Sequence, residues 1–277
     1  MSKTVKHAII LAGGKGTRLA EQTKSIPKPL VEVGNVPILS HVINHLVSYG
    51  VEHVVVAGGY KVDLIKEYFM SDRYKYQGSV TINEDGVNGH QPRLPGCLKS
   101  LTIADTGKST GTAQRIKRAA EYFDDENVPF FMTYGDSLSN VNLSDVTDTF
   151  YSCKDNVLTL TAVQYQERFG VLQINPDDNN KITKFAEKSM STDEFINGGF
   201  MILKPEVIDY IYEDDNDFSK DTLPRLQREN KINAHLHRGF WAAMDTQRDY
   251  EELNKIYDEQ PELFIRWKWI PLHQDYF

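Results

Sequence analysis

The first half of the chain alternates short apolar runs with segments whose apolar residues recur at helical spacing. Residues 8–12 form an apolar run that ends in glycines, which predicts a buried strand. Residues 38–49 place their apolar side chains near one helical face before Gly50, which predicts a helix that ends at a glycine. By the same criteria, strands are predicted at 54–57, 80–83 and 129–134, and helices at 62–69 and 112–123.

Strands that alternate with helices need crossover connections, so this order favours a mainly parallel sheet with helices on both faces. From residue 157 onward the strand patterns come closer together, which predicts hairpins and a mixed second half. We therefore expect one α/β domain over residues 1–277, a three-layer sandwich with a smaller β-rich lobe. The elements predicted in the second half are strands at 157–164, 169–175, 182–186 and 200–203, turn residues at 176–179, and helices at 205–212 and 246–257.

The composition narrows the class of protein. The chain has 277 residues and a net charge of −8, which disfavours DNA or RNA as a partner because such binding relies on phosphate neutralisation by Lys and Arg. No stretch approaches the ~20 consecutive apolar residues of a membrane span, and the first residues lack a secretory signal pattern, so we expect a cytoplasmic protein without membrane association. Cys97 and Cys153 stand outside any metal-binding spacing, which argues against a disulfide framework or a zinc site.

A glycine-rich segment follows the first predicted strand. Glycines let backbone N–H groups approach phosphate oxygens closely, and an arginine adds a bidentate phosphate donor. The segment lacks the Lys-Ser/Thr that closes a P-loop, and Leu19 stands where a dinucleotide-binding fingerprint needs Gly or Ala. A phosphate-binding loop and an ordinary turn both remain open for these residues, which are Leu11, Ala12, Gly13, Gly14, Lys15, Gly16, Thr17 and Arg18.

Lys28 is a second candidate for phosphate binding, because it lies between Pro27 and Pro29 shortly after the glycine-rich segment. Flanking prolines restrict the backbone on both sides and hold the ammonium group in a defined place. A single lysine is usually a solvated surface charge. A rigidly held lysine beside a phosphate-binding loop is instead expected to contact a ligand.

With these segments the chain resembles the sugar-phosphate nucleotidylyltransferases, and in particular their glucose-1-phosphate cytidylyltransferase branch. The resemblance covers nearly the whole chain and rests on matches that follow in order. Besides residues 13–19 and 27–29, the matches are Gly59-Tyr60-Lys61, Asp105-Thr106-Gly107, Arg115-Ile116-Lys117-Arg118, Thr133-Tyr134-Gly135-Asp136, Arg168-Phe169-Gly170, Glu187-Lys188, Ile196-Asn197-Gly198-Gly199-Phe200, Gly239-Phe240-Trp241 and Met244-Asp245-Thr246.

The resemblance implies transfer of a nucleotidyl group from a nucleoside triphosphate, CTP first, to a sugar-1-phosphate, glucose-1-phosphate first, with release of pyrophosphate. It implies a Rossmann-like nucleotidyltransferase fold, with residues 1–150 as the nucleotide-binding half and 151–277 as the sugar-phosphate-binding half with the C-terminal helix. The attacking atom is an ionised phosphate oxygen, so the reaction needs no nucleophilic side chain. Members of the family assemble as homo-oligomers, and the same is expected here.

Asp136 and Asp245 resemble the family's Mg²⁺ carboxylates. Magnesium prefers hard oxygen ligands and takes one or two carboxylates besides substrate phosphates, so two aspartates suffice. Taken singly, Asp136 reads as a turn residue and Asp245 as a helix N-cap before Thr246. The implied catalytic residues are Asp136 together with Arg18 and Lys28, which offset charge on the phosphates.

The other contacts that the resemblance implies divide between the two substrates. From the residues alone, Arg115 also reads as a solvated helix position and Lys188 as an ordinary charge at a strand end. The implied nucleotide site comprises Leu11, Ala12, Gly13, Gly14, Lys15, Thr110, Arg115 and Gly135, and the triphosphate is held by Gly16, Thr17, Arg18 and Lys28. The implied sugar-phosphate site comprises Glu187, Lys188, Asn197, Gly198 and Gly199.

The chain departs from the family pattern in two places on the substrate side. Ser189 stands where the family often has the proline of Glu-Lys-Pro, and residues 112–115 read Thr-Ala-Gln-Arg where the cytidylyltransferase branch has Thr-Gly-Gly-Arg. Gln114 is expected to place an amide near the base or the sugar, so another nucleoside triphosphate or another phosphorylated acceptor stays open. A non-catalytic nucleotide sensor is a lesser alternative, because the charged residues that a sensor would lose are present.

Two histidine pairs have spacings that can bind metal. His41 and His45 lie four apart on a predicted helix, but no intervening Glu or third ligand supports a site, so both are expected on the helix surface. His235 and His237 share one face of a predicted strand, and nothing nearby in the sequence completes a site. Neither pair is therefore a candidate centre.

Overall fold

The computed structural model describes residues 4–70, 80–83, 96–166, 171–186 and 190–267. The strands are β1 His7–Ala12, β2 Glu32–Val33, β3 Val36–Pro37, β4 His53–Gly58, β5 Val80–Asn83, β6 Ser100–Asp105, β7 Phe130–Tyr134, β8 Ser137–Ser139, β9 Leu158–Gln166, β10 Val171–Asn175, β11 Lys181–Ala186, β12 Met190–Asn197, β13 Met201–Leu203, β14 Ile232–His237 and β15 Trp241–Ala243. The α-helices are α1 Ala20–Thr23, α2 Ile38–Ser48, α3 Val62–Met70, α4 Thr112–Ala120, α5 Leu143–Ser152, α6 Leu223–Arg228 and α7 Gln247–Glu259. Short 3₁₀ turns form at Thr17–Leu19, Lys28–Leu30, Pro205–Tyr210 and Pro261–Trp267, with a π-turn at Phe218–Thr222. Among these helices, none combines the length and the apolar composition that a membrane crossing requires.

One mixed sheet organises the fold, with the order β12-β9-β13-β7-β1-β4-β6-β5 and with β14 added parallel to β9. Its centre is parallel, because β1 pairs with β4 and β7, and β4 pairs with β6. β13 runs antiparallel between β7 and β9, while β5 and β12 run antiparallel at the two ends. Strands from both halves of the chain therefore share one sheet.

Each face of the sheet buries its own hydrophobic core. Along β1, Ala8 and Ile10 belong to one core, while Ile9 and Leu11 belong to the other, since successive side chains of a strand point to opposite faces. The first core includes buried residues of α2, α3, α5 and α7, and the second includes those of α4 and α6. The helices thus cover both faces, which confirms the predicted three-layer α/β architecture.

Small antiparallel sheets lie beside the main one. β10 and β11 form the predicted hairpin, in which the Asp177 backbone N–H donates to Asn175 Oδ1 and Asn179 and Asn180 adopt positive φ. Asparagine tolerates this left-handed conformation, which explains the turn residues there. β8 pairs with β15, and β2 pairs with β3.

The structure contains elements that the apolar pattern does not predict. Helix α5 is rich in Ser, Thr and Asp, which are poor helix formers, but it buries Leu143, Val146 and Phe150, and the Asn142 side chain caps its N-terminus. The helix predicted at 205–212 is instead the 3₁₀ turn Pro205–Tyr210. In both segments tertiary packing outweighs local propensity.

Helix α2 shows that the surface position expected for His41 and His45 is wrong. Both residues are buried, at 4% and 1% exposure. The His41 ring lies 6.0 Å from that of Phe264, and its Nε2 is 2.9 Å from the Val33 carbonyl oxygen. The helix is covered on one side by the sheet and on another by the turn Pro261–Trp267, and burial lowers the pKa of His41.

Candidate active site

The strongest concentration of polar groups lies at the carboxyl edge of the parallel strands, where open α/β sheets bind ligands. β1 leads into the glycine-rich segment, and β7 leads into Gly135 and Asp136. The Gly135 backbone N–H donates to the Leu11 carbonyl oxygen at 2.9 Å. This bond holds the turn of Asp136 directly beside the glycine-rich segment.

The glycine-rich segment is a defined loop. Gly16 has φ +62°, and its carbonyl oxygen accepts from the Leu19 backbone N–H and from Thr23 Oγ1, both at 3.0 Å. Gly14 and Lys15 are exposed, and a Cβ placed on Gly14 would meet nothing within 4 Å. The loop therefore presents open backbone where a phosphate could approach, while its end is fixed by hydrogen bonds.

Arg115 supports this loop from behind. The residue is 4% exposed, so the alternative of a solvated helix position is wrong. Its guanidinium donates to the carbonyl oxygens of Gly58 at 2.7 Å and Gly107 at 2.9 Å, and to Thr106 Oγ1. A Cβ on Gly13 would lie 2.2 Å from the guanidinium carbon. Burial, and then the charge of Arg118, lower the pKa of Arg115, which places a desolvated cation beneath the loop.

Arg115→Lys is expected to lower the free energy of unfolding by about 2 kcal/mol, because the single ammonium nitrogen of lysine cannot reach all the acceptors that Nη1 and Nη2 of the guanidinium bond separately, and it leaves buried oxygens unpaired. Chemical denaturation of the two proteins measures the difference. Arg118→Lys is the matched control: Arg118 lies on the same helix, but it is exposed and bonds Thr106 O and Thr110 Oγ1 at the surface. Equal losses in both variants would contradict a special role for Arg115.

Lys28 joins the two predicted metal carboxylates. It is 8% exposed and begins the 3₁₀ turn Lys28–Leu30. Its Nζ lies 2.7 Å from Asp136 Oδ2 and 2.6 Å from Asp245 Oδ1, and Arg18 Nη1 lies 3.5 Å from Asp245 Oδ2. Burial alone would lower the pKa of Lys28, but the charges and hydrogen bonds of both carboxylates outweigh it, and the pKa is raised. Residues 227 positions apart in the chain thus meet in one cluster.

The positions of the Asp136 and Asp245 carboxylates are set by the turn between β7 and β8 and by the N-terminus of α7. Asp136 lies in the turn between β7 and β8, and its carbonyl oxygen accepts from the Met244 backbone N–H at 2.9 Å. The N-cap of α7 is Thr246, which forms a capping box with Asp249. Asp245 therefore precedes the cap instead of being it, contrary to the N-cap alternative, and its carboxylate reaches Lys28.

The cluster fits a divalent cation. Two carboxylate oxygens from Asp136 and Asp245 converge within 2.7 Å of one positively charged atom. Hard oxygen donors suit Mg²⁺, which completes its shell with water and phosphate oxygens. Within the described ranges there is no group of three or more His, Cys, Asp or Glu side chains that could hold a metal. Asp136 and Asp245 are the residues that would hold such a cation.

The segment predicted to face the sugar forms a tight turn next to β7. The Gly199 backbone N–H donates to Asn197 Oδ1 at 3.0 Å, and a Cβ on Gly199 would lie 3.2 Å from the Tyr134 ring. Gly198 is buried against Val163. Glu187 and Lys188, assigned to the sugar phosphate, lie outside the described residues, as does the segment Arg168-Phe169-Gly170.

Gln114 has a different environment from the expected one. Its Nε2 donates to the carbonyl oxygens of Tyr212 at 2.6 Å and Asp215 at 3.2 Å, so the amide anchors the segment after the turn Pro205–Tyr210. The Nε2 donor of Gln114 is therefore engaged by backbone carbonyl oxygens of the protein.

Sequence reasoning missed two aromatic side chains at the site. Tyr134 Oη lies 3.3 Å from Ser219 Oγ, and burial raises its pKa. Trp241 donates from Nε1 to the Gly198 carbonyl oxygen at 2.8 Å. Both residues belong to segments that match the family pattern, and both lie within four residues of Asp136 or Asp245 in the sequence. That proximity in the sequence could have identified them as candidates.

Comparisons with known proteins agree on one family. Residues 7–260 match the family described as Nucleotidyl transferase. The chain is 36% identical over 261 residues to a probable glucose-1-phosphate cytidylyltransferase of Bacillus subtilis, which covers 94% of this chain and 99% of that protein. It is 36% identical over 263 residues to the glucose-1-phosphate cytidylyltransferase of Salmonella typhimurium, with the same coverage.

Solved structures show the same fold at lower identity. HddC from Yersinia pseudotuberculosis superposes with a TM-score of 0.63 at 23% identity, covering 91% of this chain and all of that one. A UDP-glucose pyrophosphorylase complexed with UDP-glucose superposes with a TM-score of 0.65 at 17% identity, covering 93% of this chain and 100% of that one. The family match and the near full-length relatives together establish that the chain belongs to the nucleotidyl transferase family.

Proposed function

We propose that the chain transfers the cytidylyl group of CTP to glucose-1-phosphate, giving CDP-glucose and pyrophosphate. The observation that carries the proposal is the convergence of Lys28, Asp136 and Asp245 beside an open glycine-rich loop at the carboxyl edge of the sheet. The choice of CTP and glucose-1-phosphate is supported by the printed names of the 36% identical relatives.

The proposed reaction needs no nucleophilic side chain. A phosphate oxygen of glucose-1-phosphate forms a bond to the α-phosphorus of CTP, and the bond from that phosphorus to the oxygen bridging to the β-phosphorus breaks. Pyrophosphate leaves with the electron pair of that bond. Catalysis then consists of alignment and of charge stabilisation, to which Arg18 and Lys28 contribute their positive charges.

The residues of the site divide into three groups in this proposal. The loop Gly13–Gly16, with Thr17, Arg18 and Lys28, binds the triphosphate through backbone N–H groups, the guanidinium and the ammonium group. Asp136 and Asp245 hold a divalent cation, which we propose to be Mg²⁺ and which neutralises phosphate charge when bound. The remaining contacts are Leu11, Ala12, Lys15, Thr110 and Gly135 for the nucleotide, Arg115 beneath the loop, and Glu187, Lys188, Asn197, Gly198 and Gly199 for the sugar phosphate.

Pyrophosphate release by the purified protein with Mg²⁺ tests the proposal. CTP, UTP, dTTP, GTP and ATP are each paired with glucose-1-phosphate and with other hexose-1-phosphates, including mannose-1-phosphate. Release that requires CTP and glucose-1-phosphate is the expected result. Release with another pair would keep the reaction type and correct the substrates, while the absence of release with every pair would contradict the enzyme and favour the nucleotide sensor.

A second pair, GTP with mannose-1-phosphate, has a specific reason to be included. The mannose-1-phosphate guanyltransferase of Saccharomyces cerevisiae is 31% identical over 261 residues, covering 91% of this chain and 66% of that protein. Lower identity and partial coverage of that relative make this the second candidate.

We also propose that the protein is a homo-oligomer and that a second copy covers one face of the β10–β11 hairpin. Leu172 pairs with Phe185 across the hairpin, and Ile174 pairs with Ile182. All four side chains are between 46% and 64% exposed. A two-stranded hairpin is marginally stable alone, and contiguous exposed apolar side chains mark interaction surfaces.

Phe185→Ser is expected to shift the protein toward monomer at micromolar concentration, because it removes the most exposed aromatic side chain of this face. Light scattering coupled to size-exclusion chromatography measures the mass. Leu236→Ser on β14 is the matched control, since Leu236 is 54% exposed but belongs to a strand that pairs with β9 in the main sheet, whereas β10 and β11 form a separate sheet. A wild-type monomer, or an equal shift in both variants, would contradict the proposed interface.

A further inference from the structure

We propose that Trp241 is a positioning residue, which fixes the turn formed by residues 197–200 relative to Asp136 and Asp245. We call residues 197–200 the acceptor turn. The inference rests on the proposed function, in which this turn faces the sugar and the two carboxylates hold the cation. The inference assigns to Trp241 the task of fixing the position of the acceptor turn relative to the two carboxylates.

The acceptor turn has a backbone conformation that needs external support. Gly199 has φ +76° and Phe200 has φ +43°, so two successive residues are in the left-handed region. Phe200 is not a glycine, and a bulky residue in that region is strained. A Cβ on Gly198 would lie 2.5 Å from Val163, so the backbone also runs in close contact with β9. Such a turn persists only where surrounding groups determine it.

Most of that support comes from the strands on which the turn lies. The Gly198 backbone N–H donates to the Thr161 carbonyl oxygen at 2.9 Å, and Thr161 Oγ1 donates to the Phe200 carbonyl oxygen at 2.9 Å. The Phe200 backbone N–H donates to Thr133 Oγ1 at 3.2 Å. Thr161 and Thr133 are fully buried in β9 and β7. These bonds fix the turn to the main sheet but not to the strand that leads to Asp245.

Trp241 supplies the connection to that strand. Its Nε1 donates to the Gly198 carbonyl oxygen at 2.8 Å from β15, which ends two residues before Asp245. β15 pairs with β8, with Trp241 opposite Ser139, and β8 begins directly after Asp136. One indole N–H thus joins the acceptor turn to the small sheet that carries both carboxylates.

The expected consequence is kinetic. In-line transfer requires the acceptor phosphate to stand at a fixed distance from the α-phosphorus, and misplacement lowers the rate even when every reacting group is present. If Trp241 sets that distance, its loss affects the sugar phosphate and the chemical step while CTP binding is unchanged. A side chain that only packed in the fold would instead lower stability and leave the ratio of the two KM values unchanged.

Trp241→Phe tests this, because phenylalanine keeps an aromatic ring and lacks the N–H donor. We expect the KM for glucose-1-phosphate to rise about fivefold to tenfold, as for one lost hydrogen bond, kcat to fall by a similar factor, and the KM for CTP to stay within about twofold. Tyr210→Phe is the matched control, since it removes an aromatic donor bond to Glu229 (2.8 Å) outside this cluster. It is expected to change neither KM.

A second pair of variants tests the role of the acceptor turn if Trp241→Phe does not fold. Thr133→Val removes the acceptor of the Phe200 N–H and is expected to give the same split between the two KM values, whereas Thr133→Ser keeps the hydroxyl and restores wild-type values. Tryptophan fluorescence gives a second readout, because Trp241→Phe removes one of the 3 tryptophans of the chain. Glucose-1-phosphate is expected to change the fluorescence of the wild type, and this change is expected to be absent in Trp241→Phe.

The outcomes separate the proposals. Equal KM increases for both substrates, or unchanged kinetics in a folded Trp241→Phe whatever Thr133→Val does, would overturn the positioning role and leave the proposed function in place. A wild-type protein that releases no pyrophosphate with any pair would overturn the proposed function, and the positioning role would fall with it.

Discussion

Asp136→Asn is expected to reduce kcat/KM for pyrophosphate release by about a thousandfold, an effect typical of removing a preorganised charge from a transition-state site. The amide has nearly the same shape but no charge, so it pairs less strongly with Lys28 than the carboxylate does and would hold the proposed cation less strongly. The carboxylate lies 2.7 Å from Lys28 Nζ, two residues after the end of β7, and this contact is with another charged side chain and not with the hydrophobic core. A coupled assay of pyrophosphate, at substrate concentrations from well below to well above KM, measures the loss in kcat/KM.

Asp148→Asn on α5 is the control for this variant, because Asp148 is an exposed aspartate that is not part of the Lys28–Asp136–Asp245 cluster. It is expected to retain activity within about twofold, as surface substitutions usually do. Circular dichroism and thermal denaturation establish that both variants are folded. A folded Asp136→Asn with more than a tenth of wild-type activity would remove Asp136 from the catalytic site.

Lys28→Met is expected to change two properties in opposite directions. Activity falls by about a hundredfold or more, because a cation that offsets charge on the leaving pyrophosphate is lost. The affinity of the substrate-free protein for Mg²⁺ or Mn²⁺ rises at least tenfold, because the Lys28 ammonium occupies the position between Asp136 and Asp245 that a metal ion requires. Titration calorimetry with MnCl₂ in the absence of nucleotide measures the second effect.

Arg18→Met is the control that distinguishes two explanations of a higher metal affinity: removal of the group that occupies the metal position, and removal of a positive charge near the site. It removes the same single charge, but the Arg18 guanidinium is exposed and lies 3.5 Å from Asp245, at the rim of the cluster. We expect its metal affinity to rise less than threefold, since an exposed charge is screened by solvent. An equal rise in both variants would mean that charge alone sets the affinity. No rise in Lys28→Met would mean that the two carboxylates do not form the metal site.

Local patterns in the sequence were sufficient to predict most strands of the central sheet. β1, β4 and β7 are apolar runs because both of their faces are buried, and this leaves a continuous signal that ends at glycines or at Tyr134. Their order with α2, α3 and α4 then determines the crossovers and the parallel pairing. The sequence also placed Asp136 at the carboxyl edge, because it directly follows a predicted strand.

Patterns failed where a residue's environment is supplied by distant parts of the chain. α5 has few helix-favouring residues, and its contacts with the core, together with the Asn142 cap, explain it. His41 and His45 are polar residues on a helix, but His41 packs against Phe264, about 220 positions away, and His45 packs against Phe200, about 155 positions away. The amide of Gln114 is engaged by backbone carbonyls about 100 positions away.

The site itself divides in the same way. The sequence by itself determined the chemical groups: a glycine-rich loop, a lysine between prolines and two aspartates, recognisable because each has a local signature or a family match. Only the tertiary structure decided that the Lys28 ammonium sits between the two carboxylates, that Arg115 supports the loop from below, and that Trp241 reaches the acceptor turn. These relations are set by strand pairing across the chain, and spacing along one strand or helix carries no information about which distant group will be within hydrogen-bonding distance.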